Sequence, residues 1–467
     1  MSSSQYYFDQ IDWPSFVAEY PPPPHFAQVH SARTDDELRA IQERRFLARV
    51  DDAWKVPFYQ RHWGAVGLTP GDIRSLDDLE KIPTFTSDDL KESIENHPPF
   101  GDFYLPEGDS PAPTKLQTSG GSTGRPRPTR FDAVALEVQG IQMARAFAQQ
   151  GARRGDLAQI TYTNALGNAA WNAYTAMLHW AGVTPLTTGT GAVTPSEKQL
   201  EYAAAWGVDW WFARGEYLGR LVAVAEETGF DLHSLGTRFI HSYLGPDPDG
   251  TFRKSLQDAW NAPIYDNYGA HEIGLIAFEC TEQGHKHVNE DTVYLESVDV
   301  DTGQAAGFGV EASLVATSLH RNVPPMIRYN LRDLLVRYPR ETCGCGLTTS
   351  GLSMFLGRVD EMVKLRGMNV YPVACQSAVN RVPGTSGDYI CVVDYVGEGT
   401  GRRERFVVKV ERKDSSVDAE ALQAQLVHEL HHDLSVRVDV EIVEAGTLAE
   451  HTRLGKDKVR RLLDLRR

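Results

Sequence analysis

Between residues 131 and 240, short apolar runs alternate with stretches of helical periodicity, and that alternation limits what this chain can fold into. Leu157 to Tyr162, Trp210 to Phe212 and Phe239 to His241 read as strands. Between them lie segments such as Ala169 to Ala181, where Trp171, Tyr174, Leu178 and Trp180 recur at mostly helical spacing. The pattern predicts βαβ units and a parallel or mixed sheet. Upstream, residues 1–33 read as an irregular leader, with Pro21 to Pro24 forming a stiff extended segment. Thr34 then opens a helix as its N-cap, Glu37 completes a capping box, and short helices separated by turns continue to about residue 97.

The character changes near residue 357. Ile390 to Val396 and Arg405 to Glu411 read as strands, and Ala419 to Leu434 as an amphipathic helix. Val436 to Val443 reads as a strand whose apolar residues alternate with charged ones, and Lys456 to Arg467 as a basic tail. The expected architecture is a large α/β body of several subdomains over residues 1–357 and a small α+β domain over 358–467. No internal repeat or long low-complexity segment interrupts it.

Composition narrows the function classes. The 467 residues have room for two or three domains, and 41% hydrophobic with 24% charged residues is the balance of a globular protein. The chain has 63 acidic against 47 basic residues, a net charge of -16, which argues against a nucleic-acid partner. No apolar run approaches the roughly 20 residues of a membrane span. The first residues lack the pattern of a signal peptide, and five cysteines are an unlikely disulfide framework. The expected compartment is the cytoplasm, with no membrane partner.

Three segments carry candidate chemistry. Gln117-Thr118-Ser119-Gly120-Gly121-Ser122-Thr123-Gly124-Arg125-Pro126 offers glycines that let backbone N–H groups approach an anion, with hydroxyl donors beside them. It is neither a Walker loop nor a dinucleotide fingerprint, and alone it is equally a surface loop. Asn267-Tyr268-Gly269-Ala270-His271-Glu272-Ile273-Gly274 sets one acidic residue between glycines after an apolar strand, suiting a carboxylate presented to a metal ion or a solvated turn. Ile327-Arg328-Tyr329-Asn330-Leu331-Arg332-Asp333 ends a strand in an Asp able to accept both hydroxyls of a ribose, or to be a surface charge.

Together, in this order, the three segments resemble the adenylate-forming (AMP-dependent synthetase/ligase) superfamily, in its phenylacetate–CoA ligase-like branch. Leu356-Gly357-Arg358-Val359-Asp360-Glu361-Met362-Val363-Lys364-Leu365-Arg366-Gly367 resembles that family's hinge, and Gly455-Lys456 its catalytic lysine. Val56-Pro57-Phe58-Tyr59 through Ile73-Arg74-Ser75-Leu76-Asp77-Asp78-Leu79 is similar to the branch as well, so the likeness runs from about residue 35 to the end.

The resemblance implies a mobile C-terminal domain and a set of roles. Thr118, Ser119, Gly120, Gly121, Ser122, Thr123 and Gly124 would wrap the β- and γ-phosphates of ATP, and Glu272 would ligate Mg²⁺. Asp333 would hold the ribose hydroxyls, with Tyr268 and Gly269 beside the adenine. Arg358 would sit by the ribose, Asp360 would be the pivot, and Lys456, with Lys458 as its neighbour, would bridge the carboxylate and the α-phosphate. The chain departs from the family at His271, where Thr or Ser usually precedes the Glu; His271 is a candidate for catalysis or for substrate contact. It departs again at Arg127, where the loop usually has Lys, and at Tyr243-Leu244-Gly245-Pro246.

Cys280, His287, Cys343 and Cys345 have zinc-ligand chemistry but a CxC tighter than the usual knuckle, which leaves reduced thiols open. Some branch members bind structural zinc with such a set, and this implies a closed site here, with His285 as substitute for His287. Cys375 and Cys391 are expected as unpartnered, buried apolar residues.

By resemblance, the acyl pocket is lined by Tyr162 to Asn168, including Asn164 and Asn168, by Trp171 and Tyr174, and by Thr187, Thr188 and Gly189. Asn267, Ala270 and His271 complete it. Trp171 and Tyr174 are equally core aromatics at helical spacing. Buried amides need partners, which an aromatic acid bearing a hydroxyl or amino group supplies and a fatty chain does not.

The implied reaction attacks the α-phosphorus of MgATP with a carboxylate, releases pyrophosphate, and passes the acyl-AMP to coenzyme A with loss of AMP. A carrier-protein thiol, an amine, or nitrite in diazotisation of an aryl amine stay open as other partners. A nucleotide-binding sensor and an unrelated two-domain metabolite enzyme are the other readings. A homodimer is compatible with all of these.

Overall fold

The computed structural model describes residues 6–104, 112–119, 127–245, 247, 250–359, 363–365, 368–370, 372–396, 403–434, 438–452 and 461–465. Its contacts divide the chain into two compact units, one built mainly from residues up to Met354 and the other mainly from Phe355 onward.

In the larger unit a two-stranded antiparallel ribbon comes first, β1 (Lys115–Ser119) with β2 (Arg127–Phe131), Lys115 opposite Phe131. The main sheet uses β3 (Leu157–Ile160), β4 (Thr184–Thr187), β5 (Trp210–Arg214), β6 (Ile240–Tyr243) and β7 (Ile264–Ala270). It continues through β8 (Gly274–Phe278), β9 (Lys286–Val288), β10 (Val293–Val298), β11 (Glu311–Ser318), β12 (Tyr329–Thr342) and β13 (Thr348–Leu352). Their spatial order is β10-β11-β12-β13-β9-β8-β7-β6-β5-β3-β4.

The pairings from β4 to β7 are parallel and those from β7 to β10 antiparallel. β7 is therefore the strand at which a βαβ sheet meets a meander. Ligands of open α/β sheets gather at the carboxyl ends of such strands.

The centre of the parallel half is buried on both faces. Trp210, Trp211, Phe212, Ala158 and Ile160 are fully buried, as strands covered on both faces require. The helix Ala133–Gln149 lies on this core and is buried on almost every side, including its polar Gln139, Gln142 and Arg145. Arg145 makes paired hydrogen bonds of 2.8 and 3.0 Å to Asp291, both side chains fully buried. The capping box expected at Thr34 is present, Glu37 N–H donating to Thr34 Oγ1 and Thr34 N–H to Glu37 Oε2.

Three local expectations are corrected. The leader is not irregular: Trp13–Glu19 and His25–Ser31 are helices, the first with Pro14 in its opening turn and Phe16 buried. The helical pattern from Ala169 stays α only to Thr175 and then widens into a π turn over Ala176–Ala181, closed by Gly182 at φ +65°. The basic tail contains a strand, Leu462–Asp464.

In the smaller unit that strand lies parallel to Thr385–Val396, which pairs antiparallel with Arg403–Arg412; Asp439–Val443 lies parallel on the far side. Helix Ala419–Leu434 buries Leu422, Leu426 and Leu430. Cys375 and Cys391 are buried as expected, but they are neighbours, with free sulfurs 3.7 Å apart. Among the described residues, no helix is long and apolar enough to cross a membrane.

Candidate active site

Polar groups gather at the end of β7 and in the turn that follows. Gly269 and Gly274 shape this turn. A Cβ on Gly269 would lie 2.6 Å from the Gly274 carbonyl, and one on Gly274, at φ +97°, would lie 2.5 Å from Gln142 Oε1. Between them stands Glu272, buried, with Oε1 2.8 Å from Arg127 Nη2 on β2. Burial pushes the Glu272 carboxyl up, but Arg127, aided by His271 and Arg321, outweighs it and holds the group below its ordinary value.

Arg321, fully buried over the Phe131 ring, donates to the carbonyls of Glu272, Arg130 and Val323, and so fastens the turn to β2. His271 meets Phe131 edge-on, with ring centroids 5.6 Å apart. Burial pulls its imidazole down to about 4, with Arg321, Arg127 and Lys115 adding to the effect against Glu272, so the ring is neutral near pH 7. Its Nε2 has no hydrogen-bond partner among the described residues.

Tyr268, buried in β7, donates its hydroxyl to Asp333 Oδ2 at 2.7 Å. The backbone just before Asp333 is strained: Arg328 and Arg332 both sit at φ +56°, where side chains are rarely found. Arg328 is held there by Glu296 at 2.9 and 3.0 Å, and Arg332 N–H by Asn330 Oδ1 at 2.9 Å. Strain kept by its surroundings is characteristic of functional segments.

The residues expected to face an acid divide into two groups. Asn267 places both amide hydrogens on core carbonyls, Ser242 and Tyr265, and its oxygen accepts from Gln150, so it braces the core and does not face a ligand. Thr188 is likewise held by Ile160 and Gln199, beside Gly189 at φ +69°. Asn168 donates to Gln139 while its oxygen has no partner among the described residues. Trp171 and Asn164 are half-buried, and Ala270 lies at the last pairing of β7 with β8.

The sulfurs of Cys280, Cys343 and Cys345 and a ring nitrogen of His287 lie within 4.8 Å of one another. His287 Nδ1 is bonded to Thr349 Oγ1 at 2.7 Å, which turns Nε2 toward Cys280 and Cys345 at 3.3 and 3.4 Å. His287, not His285, belongs to this cluster.

The AMP-binding enzyme C-terminal domain family model matches residues 367–466. Over nearly its whole length the chain is also similar to phenylacetate-coenzyme A ligases. That of Aromatoleum evansii is 28% identical, with 93% of this chain and 96% of that protein aligned; that of Escherichia coli K12 is 28% identical over 92% and 95%. By its C-terminal domain and by this similarity along its length the chain resembles the adenylate-forming superfamily, in its phenylacetate–CoA ligase-like branch. The crystal structure of a 2-hydroxyisobutyryl-CoA ligase in its postadenylation state shares the fold of this chain, with a TM-score of 0.81, 24% identity, and 95% and 94% of the two chains covered.

Of the positions that resemble the superfamily's motifs, Thr118 lies in β1 and Arg358 in the smaller unit. Ser119 ends the same strand, its side chain outside the described residues. Gly120, Gly121, Ser122, Thr123, Gly124, Asp360, Lys456 and Lys458 also lie outside the described residues. Arg321 escaped the sequence reading because an Arg between His320 and Asn322 looks like a surface charge.

Proposed function

We propose that this protein is an AMP-forming acid–thiol ligase, which activates an aromatic carboxylic acid bearing a polar substituent as its acyl-adenylate and transfers it to coenzyme A. The observation that carries this is the end of β7, where within five residues Tyr268 holds Asp333 and Glu272 faces Arg127. The curated relatives are named as ligases of this kind, and the 2-hydroxyisobutyryl-CoA ligase was captured with an acyl-AMP and coenzyme A.

In this reading Asp333, oriented by Tyr268, accepts the ribose hydroxyls of ATP. Glu272, kept ionised by Arg127, is the hard carboxylate donor that Mg²⁺ takes; the ion, when bound, neutralises the departing pyrophosphate. The Thr118 to Gly124 loop receives the β- and γ-phosphates, and Lys456 the negative charge on the carboxylate and α-phosphate. Asp360 is the pivot, and Arg358 lies at the ribose. No side chain acts as nucleophile, and positioning with electrostatics lowers the barrier. Cys280, His287, Cys343 and Cys345 form a closed four-ligand set that fits structural zinc, with Thr349 fixing the histidine tautomer.

The test is ATP–pyrophosphate exchange with substituted benzoic, cinnamic and phenylacetic acids, each with and without coenzyme A. Exchange with one acid, and a thioester plus AMP only when coenzyme A is present, is the expected result. Exchange without a thioester moves the question to an amine or nitrite acceptor. No exchange with any acid overturns acid activation.

A further inference from the structure

In the smaller unit the chain reads His428-Glu429-Leu430-His431-His432. This is the spacing H-E-x-x-H, which in zinc peptidases sets two histidines on one helix face with a glutamate beside them. Here the five residues are indeed helical, within Ala419–Leu434. The buried side of that helix is marked by Leu422, Leu426 and Leu430. His428 and His432 each follow one of those leucines by two positions, about 200° around the axis, and both are exposed. Residues four apart lie one above the other, so the two imidazoles share the outer face, one turn apart.

The groups beside the pair are already arranged. Arg381, the last residue of helix Cys375–Arg381, donates to Glu429 Oε2 through Nε and Nη2 at 3.3 and 3.0 Å, and through Nη2 to Asp433 Oδ2 at 2.7 Å. The other oxygen of Asp433, Oδ1, is 3.1 Å from His432 Nδ1. A carboxylate held by an arginine and accepting the Nδ1–H of a histidine selects the tautomer whose Nε2 carries the lone pair. That is the arrangement found behind metal-binding histidines. The His432 side chain is 80% exposed, so the ring is open to solvent. His428 makes no hydrogen bond among the described residues, which leaves its ring free to turn toward the same ion.

The glutamate departs from the peptidase pattern. A general base must be free to take a proton from metal-bound water, and Glu429 is engaged by Arg381 instead. Among the described residues no third His, Cys or carboxylate closes a set with the pair, whereas Cys280, His287, Cys343 and Cys345 do so in the larger unit. Two imidazoles with the remaining positions left to water make an exchangeable site, neither a closed tetrahedron nor a hydrolytic centre. We propose that His428 and His432, with Asp433 behind His432, bind a borderline divalent transition-metal ion of the Ni²⁺, Cu²⁺ and Zn²⁺ class. Imidazole nitrogens suit these ions and do not suit Mg²⁺, which takes oxygen. The site is independent of the ligase reading.

The test titrates the full chain, as purified and dialysed, with NiCl₂ by calorimetry, and measures nickel and zinc content at the end point. About one exchangeable nickel per chain is expected, with no zinc released. His428→Ala and His432→Ala should each weaken nickel binding about ten-fold or more. Asp433→Asn should weaken it about ten-fold, the usual effect of altering the group behind a ligating histidine. These positions lie on the outer part of the helix, and alanine favours helix, so the fold is kept. His431→Ala should leave nickel binding unchanged. No uptake by the unaltered chain, or uptake unchanged in both His428→Ala and His432→Ala, overturns the proposal. An equal loss in His431→Ala, as for scattered surface histidines, does so too. Nickel that enters only as zinc leaves, one for one, marks the cysteine cluster and likewise overturns it.

Discussion

The Tyr268 hydroxyl donates to Asp333 Oδ2 at 2.7 Å, joining β7 to β12 and fixing the direction in which the carboxylate faces. A carboxylate free to rotate must be ordered by its ligand, which weakens binding. Tyr268→Phe removes the bond but keeps the ring, and a hydrogen bond to a charged group is worth about 1.5–3 kcal/mol. ATP affinity is expected to fall about ten-fold in Tyr268→Phe and further in Asp333→Ala, measured by calorimetry. Unaltered affinity in Asp333→Ala removes the ribose role.

Glu272 and Arg127 form a buried pair, so removing one charge strands the other. Glu272→Gln should abolish metal-dependent pyrophosphate exchange and destabilise the larger unit by about 3–5 kcal/mol, the usual effect of breaking a buried pair. The folded carboxyl titrates below its unfolded value. The pair's contribution is therefore complete above the ordinary carboxylate range and is lost as pH falls through the folded value. Urea midpoints of both proteins should converge toward low pH, and a constant gap would refute the ionised assignment.

The four-ligand cluster predicts about one zinc per chain in purified protein. Cys343→Ser should lose most of it, and a chelator should lower the melting temperature of the unaltered protein alone. Full zinc content in Cys343→Ser would show that the metal is held elsewhere.

What could be read from the sequence was local or periodic. The Thr34 and Glu37 box is complete within four residues, and the strands around Trp210 to Phe212 announce themselves by being apolar throughout. The polar groups that surround Glu272 are brought in from far along the chain, Arg127 from β2 and Arg321 from beyond β11, and no spacing rule reaches so far. Asn267 was misplaced for a related reason: a buried amide after an apolar strand looks the same in sequence whether it meets a ligand or, as here, Gln150, Ser242 and Tyr265. The strand Leu462–Asp464 was hidden because its short apolar stretch is surrounded by basic residues, while its pairing with Cys391 to Val393 is set by the sheet.

His241 gives the last prediction. It lies fully buried at β6 among Phe147, Phe212 and Tyr243, with Nδ1 2.7 Å from Gln150 Oε1. Burial pulls its imidazole down to about 3. Because the folded value lies below the unfolded one, about 6.5, the unfolded chain takes up the proton first. Stability should therefore rise with pH between those values, by at most about 1.4 kcal/mol per pH unit from this residue. His241→Asn keeps a polar group near Gln150 but cannot titrate, so its urea midpoint should depend less on pH between 4 and 6 than that of the unaltered protein. Parallel curves would show that His241 is protonated in the fold or that the neutral ring is not what acid attacks.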